Sequence, residues 1–115
     1  MSDHLLSPRV NSAHMKDYLD GRHPVRITGK VLNFASDETY LLMEASDGGQ
    51  IKVLLPQHPQ SHNVTDTFVE IIGTIVNPST IKFMACINMG SNLDLTLVNQ
   101  VVELTFDPKF RGRLF

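Results

Sequence analysis

The sequence predicts an all-β domain with helical additions: a small five-stranded barrel, a short helix before it and a longer helix after it. Three observations carry this. Between residues 23 and 90 the apolar residues recur with a period of two, the period of a half-buried strand. A glycine, Gly29, stands in the apolar phase of the first such run, where glycine marks a bend, a bulge or a close backbone approach. Beyond residue 93 the period becomes that of a helix.

All 115 residues are expected to form one domain. Its N-terminal extension and short helix take up about residues 1–22. Asn11 is placed to cap the helix, because its side chain can accept a free backbone N–H of the first turn. Val10 and Met15 have the spacing of a hydrophobic staple. Met15, Tyr18 and Leu19 share a face, and Gly21 supplies the stop. A helix this short has no independent stability, so it must lie on something.

The barrel region runs over about residues 23–90. In Val25–Phe34 the residues Val25, Ile27, Gly29 and Val31 alternate with Arg26, Thr28 and Lys30. Tyr40–Ala45 and Gln50–Leu55 are two further runs, joined by the hairpin signal Ser46-Asp47-Gly48-Gly49. In Phe68–Val76, Val69, Ile71 and Ile75 share a face around Gly73. After Asn77-Pro78-Ser79, the residues Ile81, Phe83, Ala85 and Ile87 are expected to face the core, alternating with Lys82, Met84, Cys86 and Asn88. The stretch between Pro56 and Thr67 is polar and irregular. Strand, hairpin, irregular crossover, hairpin is the order of an OB-fold, a five-stranded barrel that closes to remove its exposed edges.

The C-terminal helix is assigned to about residues 91–107 and the tail to 108–115. Ser91-Asn92-Leu93-Asp94 has the spacing of a capping box, and Pro108 stops the run. A helical period places Leu93, Leu97, Val101 and Leu104 on one stripe and Leu95, Val98, Val102 and Phe106 on the next. Together they span about 220° of the circumference, whereas a helix resting only on its own domain needs ~100°. One barrel covers one side, so the other side calls for a partner helix.

Composition narrows the function. Ten Lys+Arg against twelve Asp+Glu give a net charge of −2, which excludes a protein held to nucleic acid by bulk charge. The apolar runs are too short for a membrane-spanning helix. The start of the chain has neither the basic flank nor the apolar block of a signal peptide. Cys86 is the only cysteine, so no internal disulfide can form and a reducing compartment is expected.

The chain resembles the small subunit of replication protein A, the eukaryotic heterotrimer that binds single-stranded DNA. The matching stretches are Pro8-Arg9-Val10-Asn11, Pro56 after the third strand, and Leu93-Asp94-Leu95-Thr96-Leu97-Val98-Asn99-Gln100-Val101-Val102. The resemblance covers nearly the whole chain. It implies an OB-fold whose C-terminal oligomerisation helix joins helices of the middle and large subunits in a three-helix bundle. It also implies a nuclear, non-catalytic assembly role in DNA replication, repair and recombination. The tail Arg111 to Phe115 departs from the family pattern. Two alternatives are a small OB-fold subunit of a telomere-end complex and, from a different class, a small enzyme or ligand-binding barrel.

The candidate subunit interface is therefore Leu93, Leu97, Val98, Val101, Val102, Leu104 and Phe106. Candidate weak nucleic-acid contacts are Arg26, Lys30, Lys52 and Lys82, set against six acids in the barrel region, a local net of −2. No cofactor or metal is expected. His58 and His62 have a chelating spacing on a helix, but Pro59 interrupts it and no third ligand is evident. Cys86 reads as a small buried hydrophobe, Asp37-Glu38 as a loop pair whose side chains diverge, and Gly48-Gly49 as a turn with no helix after it.

Overall fold

A computed structural model describes residues 7–57 and 62–107. It contains a 3-10 helix at Ser12–Tyr18, strands β1 (Val25–Phe34), β2 (Tyr40–Ala45), β3 (Gln50–Leu54), β4 (Phe68–Asn77) and β5 (Thr80–Asn88), and helix α1 (Leu95–Phe106). The strands close into a barrel in the order β1-β2-β3-β5-β4. Every pairing is antiparallel except β3 with β5, a short parallel seam in which Val53 faces Ile81.

The interior is filled by the residues that alternation assigns to it: Val25 and Ile27 from β1, Leu41 and Met43 from β2, Ile51 and Val53 from β3, Val69, Ile71 and Ile75 from β4, and Ile81 from β5. Gly29 lies among them, opposite Ala45. A Cβ there would collide with the Glu44 carbonyl oxygen and the end of Met43, so β1 and β2 can approach only because this position has no side chain.

Alternation fails in the second half of β5. Gly73 pairs with Phe83 but Ile72 pairs with Ala85, leaving Met84 as a bulged extra residue. A bulge reverses which face later residues occupy. Phe83 packs on the core as expected, but Cys86 then turns inward while Ala85 and Ile87 face outward. This corrects the expectation that Ala85 and Ile87 line the core.

The N-terminal segment is strapped onto β1. The Val10 N–H donates to the Arg26 carbonyl and the Arg26 N–H donates to the Pro8 carbonyl, each at 2.8 Å. Met15 is fully buried, but Leu19 is exposed rather than sharing its face, because the helix is 3-10 and not α. Asn11 occupies the cap position without using its side chain as a cap. Asp47 of the β2–β3 hairpin does that work instead, accepting from the backbone N–H groups of Ser12 and Ala13 and from the Ser12 hydroxyl.

At one end of the barrel the polar crossover is stitched by Asn88, whose Oδ1 accepts from the Thr65 and Asp66 N–H groups and whose Nδ2 donates to the Asn63 carbonyl. Val64 drops into the core there, and the His62 ring lies between those of Phe34 and Phe83, at 5.7 and 6.4 Å. His58 and the tail 108–115 lie outside the described residues. Among the described residues, no group of three His, Cys, Asp or Glu side chains is arranged to hold a metal ion.

Candidate subunit interface and nucleic-acid face

Helix α1 begins one turn later than the capping-box spacing suggests. Asp94 is the cap itself: its backbone is extended and its carboxylate accepts the Leu97 N–H at 3.1 Å. Leu93 therefore precedes the helix, half-buried, rather than opening its outer stripe.

The two apolar stripes part company. Val102 is 2% exposed, Phe106 packs against the core, and Leu95 and Val98 are half-buried. Leu97, Val101 and Leu104 are 58%, 42% and 42% exposed. At ~100° per residue these three fall within about 60° of one another, and Val102 and Phe106 lie roughly 140–180° away from Leu97. Of the seven residues expected at an interface, Val102 and Phe106 pack on the chain's own fold. Leu97, Val101 and Leu104 form the outward stripe, and Val98 lies between.

Polar contacts fix the inward side. Asn99 Oδ1 accepts from Asn11 Nδ2 at 2.8 Å and from the Ser46 hydroxyl at 3.1 Å. His14 Nε2–H donates to Glu103 at 2.6 Å, and its ring lies flat on Phe106 with centroids 3.8 Å apart. His14, Asn99 and Asp47 carry no local sequence signal for these contacts. Asp47 was visible only as a turn residue, and the other two lie in segments whose meeting no local pattern announces.

The four candidate cations separate as well. Arg26 Nη1 donates to Glu70 at 2.9 Å; Glu70, with its side chain 3% exposed, also accepts from Arg9 Nε and the Thr28 hydroxyl, both at 3.1 Å. Arg26 is thereby paired with a buried carboxylate. The alternation gave no warning, since Glu70 occupies an outward position and is buried by the N-terminal strap. Lys30 is exposed and stands opposite Glu44 in the β1–β2 register. Lys52 and Lys82 are exposed on one face: Lys52 Nζ sits 4.3 Å above the Tyr40 ring, and Tyr40, Leu54 and Lys82 form a row across β2, β3 and β5.

Among the described titrating groups whose pKa is perturbed are Cys86 and Asp47. Burial, with the Asp66 carboxylate nearby, pushes the Cys86 thiol up to about 11, which keeps it protonated and unreactive at neutral pH. Burial alone would raise the Asp47 carboxyl, but hydrogen bonds from the Ser12 hydroxyl and from the Ala13, Ser12 and Gly49 N–H groups outweigh it and hold it below its ordinary value.

A closed barrel in this strand order, with an irregular crossover between its third and fourth strands and a helix turned partly to solvent, defines a small OB-fold protein. Solved structures of similar fold agree. The chain is similar to a chain in the structure of U. maydis replication protein A bound to single-stranded DNA, with 29% identity, a TM-score of 0.75, and coverage of 90% of this chain and 91% of that one. It also shares its fold with the telomere capping protein Ten1 from S. pombe (12% identity, TM-score 0.65, covering 84% and 94%) and with a chain of the S. pombe Stn1–Ten1 complex (14%, 0.60, 84% and 89%). No curated protein matches in sequence. The family model for Replication factor A protein 3 matches residues 1–109, and the chain belongs to that family.

Proposed function

We propose that this chain is the structural, non-catalytic small subunit of a replication protein A heterotrimer, serving single-stranded DNA binding in replication, repair and recombination in the nucleus. Its part is assembly: the outward stripe of α1 packs against helices of the middle and large subunits. The observation that carries the reading is the exposure of Leu97, Val101 and Leu104 on a helix whose opposite side is already docked. A contiguous apolar stripe left in water marks an interaction surface. The OB-fold likeness to Ten1 is a likeness of fold, whereas the family match is specific to replication factor A, which favours the replication complex over a telomere-end complex.

The test is Val101→Asp combined with Leu104→Asp. A tenfold loss of affinity takes only ~1.4 kcal/mol, and two charges buried in a helix bundle cost far more. The variant should fail to co-purify with the middle and large subunits while the free chain keeps its circular dichroism. Assembly at wild-type strength would overturn the reading.

DNA contact by this subunit is confined in the same reading to Lys52 and Lys82 beside Tyr40, with Lys30 at the margin. Stacking on an aromatic ring strengthens binding where a cationic groove also holds the backbone, and two lysines and one tyrosine make a short groove. The isolated chain should therefore bind single-stranded DNA poorly at physiological salt, far more weakly than the complex. Submicromolar binding by the free chain would move these residues to the centre of its function.

A further inference from the structure

We propose that the N-terminal 3-10 helix is a bracket that sets the rotation of α1 about its own axis, with Asn11 and His14 as positioning residues for subunit assembly. The proposal rests on the assembly role argued above.

Three side chains on α1 meet the bracket: Asn99 takes the Asn11 amide, Glu103 takes the His14 Nε2–H, and Phe106 lies under the His14 ring. Their spacing is i, i+4, i+7. At ~100° per residue that stripe is centred about 200° from the Leu97, Val101 and Leu104 stripe, on the opposite side of the helix. The bracket grips the back of the same helix that presents the apolar front.

Apolar burial alone does not fix such a helix. Contact through Val102 is non-directional, so a helix held only by it could roll and change which residues face a partner. Hydrogen bonds are directional, and the 2.8 and 2.6 Å contacts at Asn99 and Glu103, one helical turn apart, define the rotation. Asn11 is 1% exposed, and its Oδ1 has no hydrogen-bond partner among the described residues. An apolar side chain in that place would bury more cheaply. What the asparagine supplies is the amide directed at Asn99.

The bracket is itself immobilised, as a positioning device must be. Met15 is anchored in the core, Val10 is bonded to β1, and Asp47 holds Ser12 and Ala13 against the β2–β3 hairpin. Ser46 of that hairpin donates to the same Asn99 oxygen. A partner helix then meets a stripe already aimed, and the ordering cost that would otherwise weaken association is reduced.

The test is a double-mutant cycle on the full chain, titrated with the purified middle and large subunits. His14→Ala and Glu103→Ala should each weaken assembly about tenfold, and together no more than either alone, as expected for two members of one contact. Neither substitution should change the helix content of the free chain. His14→Gln, which keeps a donor for Glu103, should recover part of the affinity; His14→Phe, which keeps only the stack on Phe106, should recover less. Asn11→Ala should weaken assembly in the same way; because it is buried, its melting is measured alongside, and the His14 cycle decides if it fails to fold. Wild-type assembly by both single variants, or losses that simply add, would overturn the bracket. Val101→Asp with Leu104→Asp is run beside them: if that variant also assembles normally, the assembly reading has failed, and if it alone fails to assemble, only the bracket has.

Discussion

The inward and outward stripes of α1 are almost the same in composition and opposite in fate. Leu95, Val102 and Phe106 turn toward the barrel with Val98 at the margin, and Val102 ends fully enclosed. Leu97, Val101 and Leu104 turn to water. Hydropathy alone does not distinguish them. The distinction comes from the polar residues on each flank: Asn99 and Glu103 find Asn11, Ser46 and His14 on the barrel side, whereas Thr96 and Gln100 accompany the outward stripe as exposed residues. An apolar arc wider than one barrel can cover announces two uses for a helix. The polar partners decide which stripe serves which use.

Removing the surface that the inward stripe rests on should have the largest effect. Gly29→Val drives a branched side chain into the Glu44 carbonyl and Met43, inside the β1–β2 pairing that closes the barrel. Overpacking costs ~1–3 kcal/mol where neighbours can yield, and more where the obstacle is backbone. The expected outcome is loss of soluble protein, or a melt far below wild type. A wild-type melt would mean that β1 has room at Gly29 and that barrel closure does not depend on it.

The same charge placed on each stripe then separates the two. Val102→Asp puts a carboxylate where an apolar side chain is 2% exposed and should destabilise the free chain by about 3–5 kcal/mol. Leu97→Asp, more than half exposed, should leave the melt within ~0.5 kcal/mol of wild type while weakening co-purification with partner subunits. Thermal melts of the two free variants check this. Equal destabilisation would show both stripes to be core.

Much of this was legible beforehand, and what was not has a common cause. The strands follow from alternation over five to ten residues, and both stripes of α1 follow from its period. The bulge at Met84 was not legible, because a single extra residue leaves the composition of β5 unchanged while reversing the side on which Cys86 and Ile87 lie. Arg26 looked like a free surface cation because its partner Glu70 is 44 positions away. His14 and Glu103 are 89 positions apart. Local pattern reports which face of an element is apolar; it does not report which distant polar group will meet it.

The smallest effect sharpens the comparison from the bracket's side. Asp47 caps the 3-10 helix from another element, so Asp47→Ala leaves the Ser12 and Ala13 N–H groups without that acceptor and should cost ~1 kcal/mol, as the loss of a helix cap does. In a chain of this size that is a fall in Tm of roughly 4 °C. The effect should depend on pH with a definite sign. In the folded chain the carboxyl is held below its ordinary value of 3.8, so the unfolded chain binds more protons in that acid range. Wild type therefore holds the full advantage over Asp47→Ala above that range and loses it as pH falls through the ordinary value and then the lower folded one. Melts of the two proteins from neutral pH down to the acid limit of folding should show two curves that converge on acidification. Curves that stay parallel would mean that the carboxylate does not hold the 3-10 helix, and that the bracket behind α1 is fastened through Met15 and Val10 alone.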